Sequence, residues 1–323
     1  LSARVERPAV AARAGRGSAR SLIADRPAVT AALGAGCIAS SGILVVLAGA
    51  GAATTALYRC ALALPLLIPL AVLEQRSHGS RSRGARVTSW IAGLLFAVDL
   101  VLWTHAIAEV GAGVATVLGN LQVLFVAVAA WLIYKERPSS RLVLALPVVI
   151  AGVVLVSGLV GKPGVGRNPL AGILFGIGTS LAYAAFLMVL RRSTHTAHVA
   201  GPLADATAGA VVGSLLLGAV FGSLDLFPGW LTLGWLLLLA VTSQTLGWLL
   251  ITSSLPRLPS ALSSLLLLLQ PVATLGLAFV ALGERPSPLQ LLGATLICGG
   301  ILSVARSRRP ASARLLPAET VAV

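Results

Sequence analysis

Along this chain the polar residues gather into short clusters separated by long apolar stretches. Ten such stretches stand out, at about 29–49, 54–73, 88–108, 112–133, 141–160, 169–190, 203–222, 230–253, 259–282 and 288–305. Each is near the roughly 20 residues that an α-helix needs to cross the hydrocarbon core of a bilayer. The connections between them are short, which predicts antiparallel neighbours. Residues 1–28 and 306–323 lack the apolar pattern and read as polar tails. The first tail and span could resemble a signal peptide cut after Ala48-Gly49-Ala50. Retention is the expected outcome, because the first apolar run is long enough to span and its loss would spoil the charge asymmetry described below.

A second pattern lies over the first. Gln122 to Pro138, QVLFVAVAAWLIYKERP, returns 148 positions later as Gln270 to Pro286, QPVATLGLAFVALGERP. The correspondence extends outward: Leu118 with Leu266, Leu121 with Leu269, Ser139 with Ser287, Leu144 with Leu292, Gly152 with Gly300 and Val156 with Val304. Such self-similarity marks a repeated architecture. Five spans, an odd number, separate each residue from its counterpart, so the second copy enters the membrane upside down. The expected fold is an all-α integral membrane protein of ten transmembrane helices in two inverted five-helix repeats, 29–160 and 169–305. Inverted repeats of this kind let a carrier expose one midplane site to either side.

The charges orient the bundle. With the N-terminus cytoplasmic, twenty basic residues fall in cytoplasmic segments and three, Lys162, Arg167 and Arg285, in outer ones. This is a strong positive-inside bias and places both termini in the cytoplasm. It also accounts for the net charge of +14 through lipid headgroups, with no nucleic-acid partner. Hydrophobic residues make up 57% and charged ones 11%, more apolar surface than a soluble chain of 323 residues could bury. Cys37, Cys60 and Cys298 lie in apolar runs without metal or disulfide spacing. Glycines at i, i+4, including Gly172 and Gly176, then Gly209, Gly213, Gly218 and Gly222, predict close helix packing.

The two copies carry a resemblance. Gly113-Val-Ala-Thr-Val-Leu through Lys-Glu136-Arg-Pro, Ser260-Ala-Leu-Ser-Ser-Leu through Gly-Glu284-Arg-Pro-Ser, and Tyr58-Arg59 together resemble the EamA-type transporters of the drug/metabolite transporter superfamily. The resemblance spans roughly 29–305 and implies ten helices, a bacterial plasma-membrane location and export of amino acids or other small metabolites. The chain departs from the family where Val123 replaces the mid-helix proline that Pro271 supplies in the second copy. Pro271 leaves the carbonyl of Leu267 without its usual donor. A bend is therefore expected beside Gln270 and not beside Gln122.

Few polar residues fall inside the spans. Asp99 lies about midway along the third, where an ionised carboxylate must be partnered, wet or protonated. It is the candidate for both substrate contact and proton coupling; structural bonding between helices is the plainer alternative. Gln122, Gln244 and Gln270 lie near the same depth, and an amide can donate and accept; hydrogen bonding between helices is the alternative for each. Trp103 and Trp248 follow Asp99 and Gln244 by one helical turn, presenting an indole beside each polar group. Tyr183 is a further aromatic candidate. Asn120 reads as packing, and His105 with Glu109 as a solvated pair near a membrane surface. Arg59 reads as mainly structural, snorkelling outward, with contact to an anionic substrate group as the alternative, and Asp205 as stabilised by a helix N-terminus. The two Glu-Arg-Pro strings read as helix stops followed by a capping serine.

Enzymatic chemistry finds no support. The chain lacks H-E-x-x-H, G-x-S-x-G and Cys/His clusters, and Gly161-Lys162 lacks the Ser/Thr of a phosphate loop. No cofactor or metal is expected. The expected partners are a small-molecule substrate, the lipid bilayer and protons. An amphipathic-drug efflux carrier and a non-transporting membrane scaffold are the competing readings; a wet polar centre favours a carrier, a dry filled one a scaffold.

Overall fold

The computed structural model describes residues 27–134, 140–156, 167–193, 198–221, 224–254, 258 and 260–305. The polar tails, Glu136-Arg137-Pro138, Lys162 and Gly222 lie outside these residues. Among the described residues there is helix and no strand. Six helices are long and apolar enough to cross a membrane: α1 (Pro27–Ala48), α2 (Ala52–His78), α3 (Arg83–Val110), α6 (Pro169–Leu190), α7 (Ala200–Phe221) and α8 (Trp230–Ser254). Shorter apolar helical stretches lie at Ala112–Val126, Val143–Leu155, Leu269–Leu282 and Pro288–Ser303. They belong to α4 (Ala112–Gly119, resuming as Gln122–Tyr134), α5 (Ser140–Val156), α9 (Ser260–Leu282) and α10 (Pro288–Ala305). Large apolar side chains face outward along these rods, with Val220, Phe227, Trp230 and Val280 each more than three-quarters exposed. In water such a surface would aggregate; in a bilayer it is the solvent-matched face.

The main helix contacts obey a pseudo-twofold. α3 packs on α6 as α8 packs on α1, and α9 on α1 as α4 on α6. α3 meets α7 as α8 meets α2, while the pairs α2–α7, α4–α9 and α5–α10 map onto themselves. The two repeats therefore interlock. Their buried side chains separate into two cores by a different division. One core joins α2 and α7 to Phe96, Leu100, Phe186 and Trp248. The other joins α4, α5 and α10 to the opposite ends of α1, α3, α6 and α8.

Glycines set the close approaches. A Cβ on Gly209 would lie 2.5 Å from the carbonyl oxygen of Trp90, and one on Gly213 2.6 Å from the Cβ of Ala97, so α7 meets α3 backbone to backbone. Gly172 and Gly176 leave room instead for the side chains of Val110 and Leu118. At Gly111 the chain reverses from α3 to α4 through a single residue at φ 83°, ψ 163°, a conformation almost restricted to glycine.

α4 carries a break that the sequence does not suggest. α9 runs unbroken through Pro271, whereas α4 is interrupted at Asn120 and Leu121, in the copy without the proline. There Asn120 Nδ2 donates to the carbonyl of Thr116 at 2.8 Å, and Ser180 Oγ donates to that of Leu118 at 2.6 Å. At the same place Leu121 N and Leu124 N bond to residues three back instead of four. α9 also does not stop at Pro286. It ends at Leu282, where Gly283 turns left-handed at φ 66° and Glu284 N bonds the carbonyl of Ala278. Ser287 does cap α10, in a reciprocal pair with Gln290. Glu284 instead accepts from the amides of Ala112 (2.8 Å) and Gly113 (3.3 Å), capping α4 across the repeat interface.

Candidate functional site

Where the two cores meet, α1, α2, α3, α4, α6, α8 and α9 surround a cavity of about 80 Å³. At roughly 10–15 Å³ per water this has room for several waters or the non-hydrogen atoms of a small metabolite. Five sequence candidates line it: Asp99, Trp103, Tyr183, Trp248 and Gln270. Beside them stand Ile38, Ser41, Arg59, Phe96, Leu100, Thr116, Gly119, Asn120 and Thr179. The break in α4 thus opens onto this space through Gly119 and Asn120.

Gln122 is buried and Gln244 fully buried, and neither is part of the lining. Gln244 has another task. It sits on a π-helical stretch of α8, Ala240–Gly247, where its Oε1 accepts from Arg59 Nε at 2.9 Å. Its Nε2 donates to Thr207 Oγ1 at 3.2 Å, and the preceding Ser243 Oγ accepts from Arg59 Nη2 at 3.1 Å. Wider helical turns of this kind recur at functional sites because they re-aim side chains.

Arg59 therefore does not snorkel outward. It is 4% exposed, bonded inward to Gln244 and Ser243, with its guanidinium 5.9 Å from the Phe96 ring and 6.0 Å from the Trp103 ring. These polar and aromatic neighbours stabilise a charge that the lipid could not. The sequence signal was its place as the basic residue inside a span; the partner, Gln244, lies 185 positions away and left no local trace. Asp99, also buried, lies in the same cavity, its backbone carbonyl accepting from Thr179 Oγ1 at 2.9 Å. Among the described residues neither Arg59 nor Asp99 has an ion-pair partner within 4 Å. The cavity thus holds one buried arginine and one buried aspartate.

Aromatic rings form one wall. Trp248 meets Phe96 edge-on at 5.7 Å and Tyr183 at 6.2 Å, while Tyr183 and Phe96 stack on Phe186. No group of His, Cys, Asp or Glu among the described residues is arranged to hold a metal. His105 is exposed and stacks on Phe175.

A larger cavity of about 290 Å³ lies at one end of α2, α3 and α7, but its charges satisfy one another. Asp205 pairs with Arg81 and, at 3.7 Å, with Arg86, so an ion pair adds to any helix-end field. Glu74 accepts from the amides of Val199 (2.6 Å), Ala200 (3.0 Å) and Gly201 (2.7 Å). This is a latch between helix ends, and the central cavity is the better site.

A search of curated proteins returned no match. A crystal structure described only as "Crystal structure of protein" is similar in fold, with TM-score 0.57 and 17% identity, covering 89% of this chain and 99% of that one. The EamA-like transporter family matches residues 26–158 and again 170–306. Two family matches that together span most of the sequence, on an all-helical membrane fold, place the chain in the EamA-like transporter family.

Proposed function

We propose that this membrane transporter is a secondary carrier that exports amino acids or similar small polar metabolites by alternating access. All ten helices cross a bacterial plasma membrane as two inverted five-helix repeats, with both termini cytoplasmic. The observation that carries this reading is the central cavity itself. It takes side chains from both repeats, lies at the seam between two hydrophobic cores, and is lined by a buried arginine and a buried aspartate that have no ion-pair partner among the described residues. Buried charges are retained where function uses them. A zwitterion would meet both. The bodies that rock are the two cores, one built on α2 and α7 and the other on α4, α5 and α10, since each core is packed within itself and the cavity lies between them. Asp99 is the residue through which a proton would couple.

The aromatic wall of Phe96, Trp103, Tyr183 and Trp248 supports a second reading, efflux of amphipathic compounds. Both readings are tested by efflux from proteoliposomes across an amino-acid and amphipathic-amine panel, with and without a pH gradient, for wild type, Asp99→Asn and Gln270→Ala. Amino-acid efflux that falls in both variants supports the carrier and its site. Undiminished efflux in both correctly inserted variants would remove the site, and rates indifferent to the gradient would remove proton coupling.

A further inference from the structure

Two groups in the central cavity share an unmet need of the same sign. Among the described residues Arg59 uses two bonds, to Gln244 and Ser243, out of the five N–H donors of its fork. The indole Nε1–H of Trp248 is buried, on a residue 5% exposed, and has no hydrogen-bond partner among the described residues. Both side chains line the same cavity and both rest against Phe96. An indole N–H and a guanidinium can only donate. The group that would satisfy both is an acceptor, and beside an arginine an anionic one.

We infer that Arg59 and the Trp248 indole N–H form a carboxylate anchor, and that Gln244, on the π-helical stretch, is the positioning residue that aims Arg59 into the cavity. The inference rests on the carrier reading above and names the chemistry by which that site selects. Arg59 is the one basic residue among the described residues of the lining, and a single positive charge suits a single carboxylate better than a doubly charged phosphate. The planar fork of arginine matches the two oxygens of a carboxylate. An amine or amide lacking the carboxylate would leave both donors unmet. Gln244 is fixed by its neighbours: Arg59 has only donors, so the amide must turn its oxygen toward Nε, and its nitrogen then reaches Thr207.

The test is ligand binding to the full chain in lipid nanodiscs, read by thermal shift and tryptophan fluorescence. The probes are L-alanine, propionate, L-alaninamide and ethylamine. Alanine and propionate are expected to bind wild type, and alaninamide and ethylamine to bind at least roughly tenfold more weakly. Gln244→Glu sets an internal carboxylate against Arg59 and is expected to weaken the two carboxylates about tenfold while leaving the amine unaffected. Trp248→Phe keeps the ring, removes the donor, and is expected to reduce carboxylate binding a few-fold; it decides the matter should Gln244→Glu fail to insert. Arg59→Lys keeps the charge without the fork and should recover part of the binding. Equal binding of carboxylates and amides, failure of both carboxylates to bind wild type, or an unchanged preference in Trp248→Phe would overturn the anchor. Carboxylate binding without transport of any probe would sink the carrier reading and leave the anchor standing. Transport without carboxylate preference would do the reverse.

Discussion

Arg59 cannot shed its charge inside a protein, so the groups around it decide whether α2 tolerates it. Gln244, Ser243 and two ring faces supply part of what water would, and the cavity is left to supply the rest. Asp99 stands in the same space with the opposite sign. Its replacement Asp99→Asn keeps the shape and removes the charge. Efflux in that variant should fall roughly tenfold or more, the loss of about 1.4 kcal/mol of interaction, and what remains should no longer respond to an imposed pH gradient. Efflux assays with and without an ionophore measure both effects; a full gradient response in Asp99→Asn contradicts the coupling role. Asp99, Trp103, Tyr183, Trp248 and Gln270 were legible in the sequence because a polar or aromatic residue in mid-span has few explanations. Arg59 was visible but misplaced, since a hydrophobic count cannot show that a glutamine from α8 reaches it. Gln244 was singled out by its expected depth, and its contacts are with Arg59 and Thr207, side chains of this protein.

Helix ends carry their own signals, and several act across long sequence separations. Glu284 reaches the first amides of α4, and Glu74 those of α7. Glu284→Ala should lower unfolding stability by about 1–2 kcal/mol, the usual loss of an N-cap. Glu284→Gln should recover part of it, because an amide oxygen still accepts one of the two bonds. Thermal unfolding in nanodiscs distinguishes these from no change, which would remove the cap from the interface. Gly111→Ala forces a Cβ into a glycine-only backbone region and should cost about 1–3 kcal/mol by the same measurement; an unshifted transition would mean that the α3–α4 reversal is not as rigid as the backbone angles require. The sequence marks Ser287 as a cap and Pro286 as a stop. Only the first is so used, because Gly283 ends the helix before the proline is reached. The break in α4 was illegible for a physical reason: Asn120 and Ser180 share the carbonyls of Thr116 and Leu118 with the helix's own amides there, and Ser180 belongs to another helix.

At the scale of the whole molecule, the two copies on which the family matches fall were visible in the sequence, because self-similarity is a property of the string. The division into two cores was not, because it cuts across both copies and through α1, α3, α6 and α8. Topology is open to a direct check. Ser80 and Gly229 are both exposed, at opposite ends of the bundle in the proposed orientation. An impermeant thiol reagent on intact cells should label Gly229→Cys and spare Ser80→Cys; the opposite pattern would turn the protein over in the membrane. The claim on which function depends is that one central cavity is reached from each side in turn. Ser41 lines that cavity, and cysteine is close to it in size. With Cys37, Cys60 and Cys298 replaced by alanine, Ser41→Cys in oriented proteoliposomes should react with an impermeant thiol reagent added to either side, and a transported amino acid should slow both reactions. Reaction from one side alone, or from both with no protection by substrate, would contradict alternating access to this cavity.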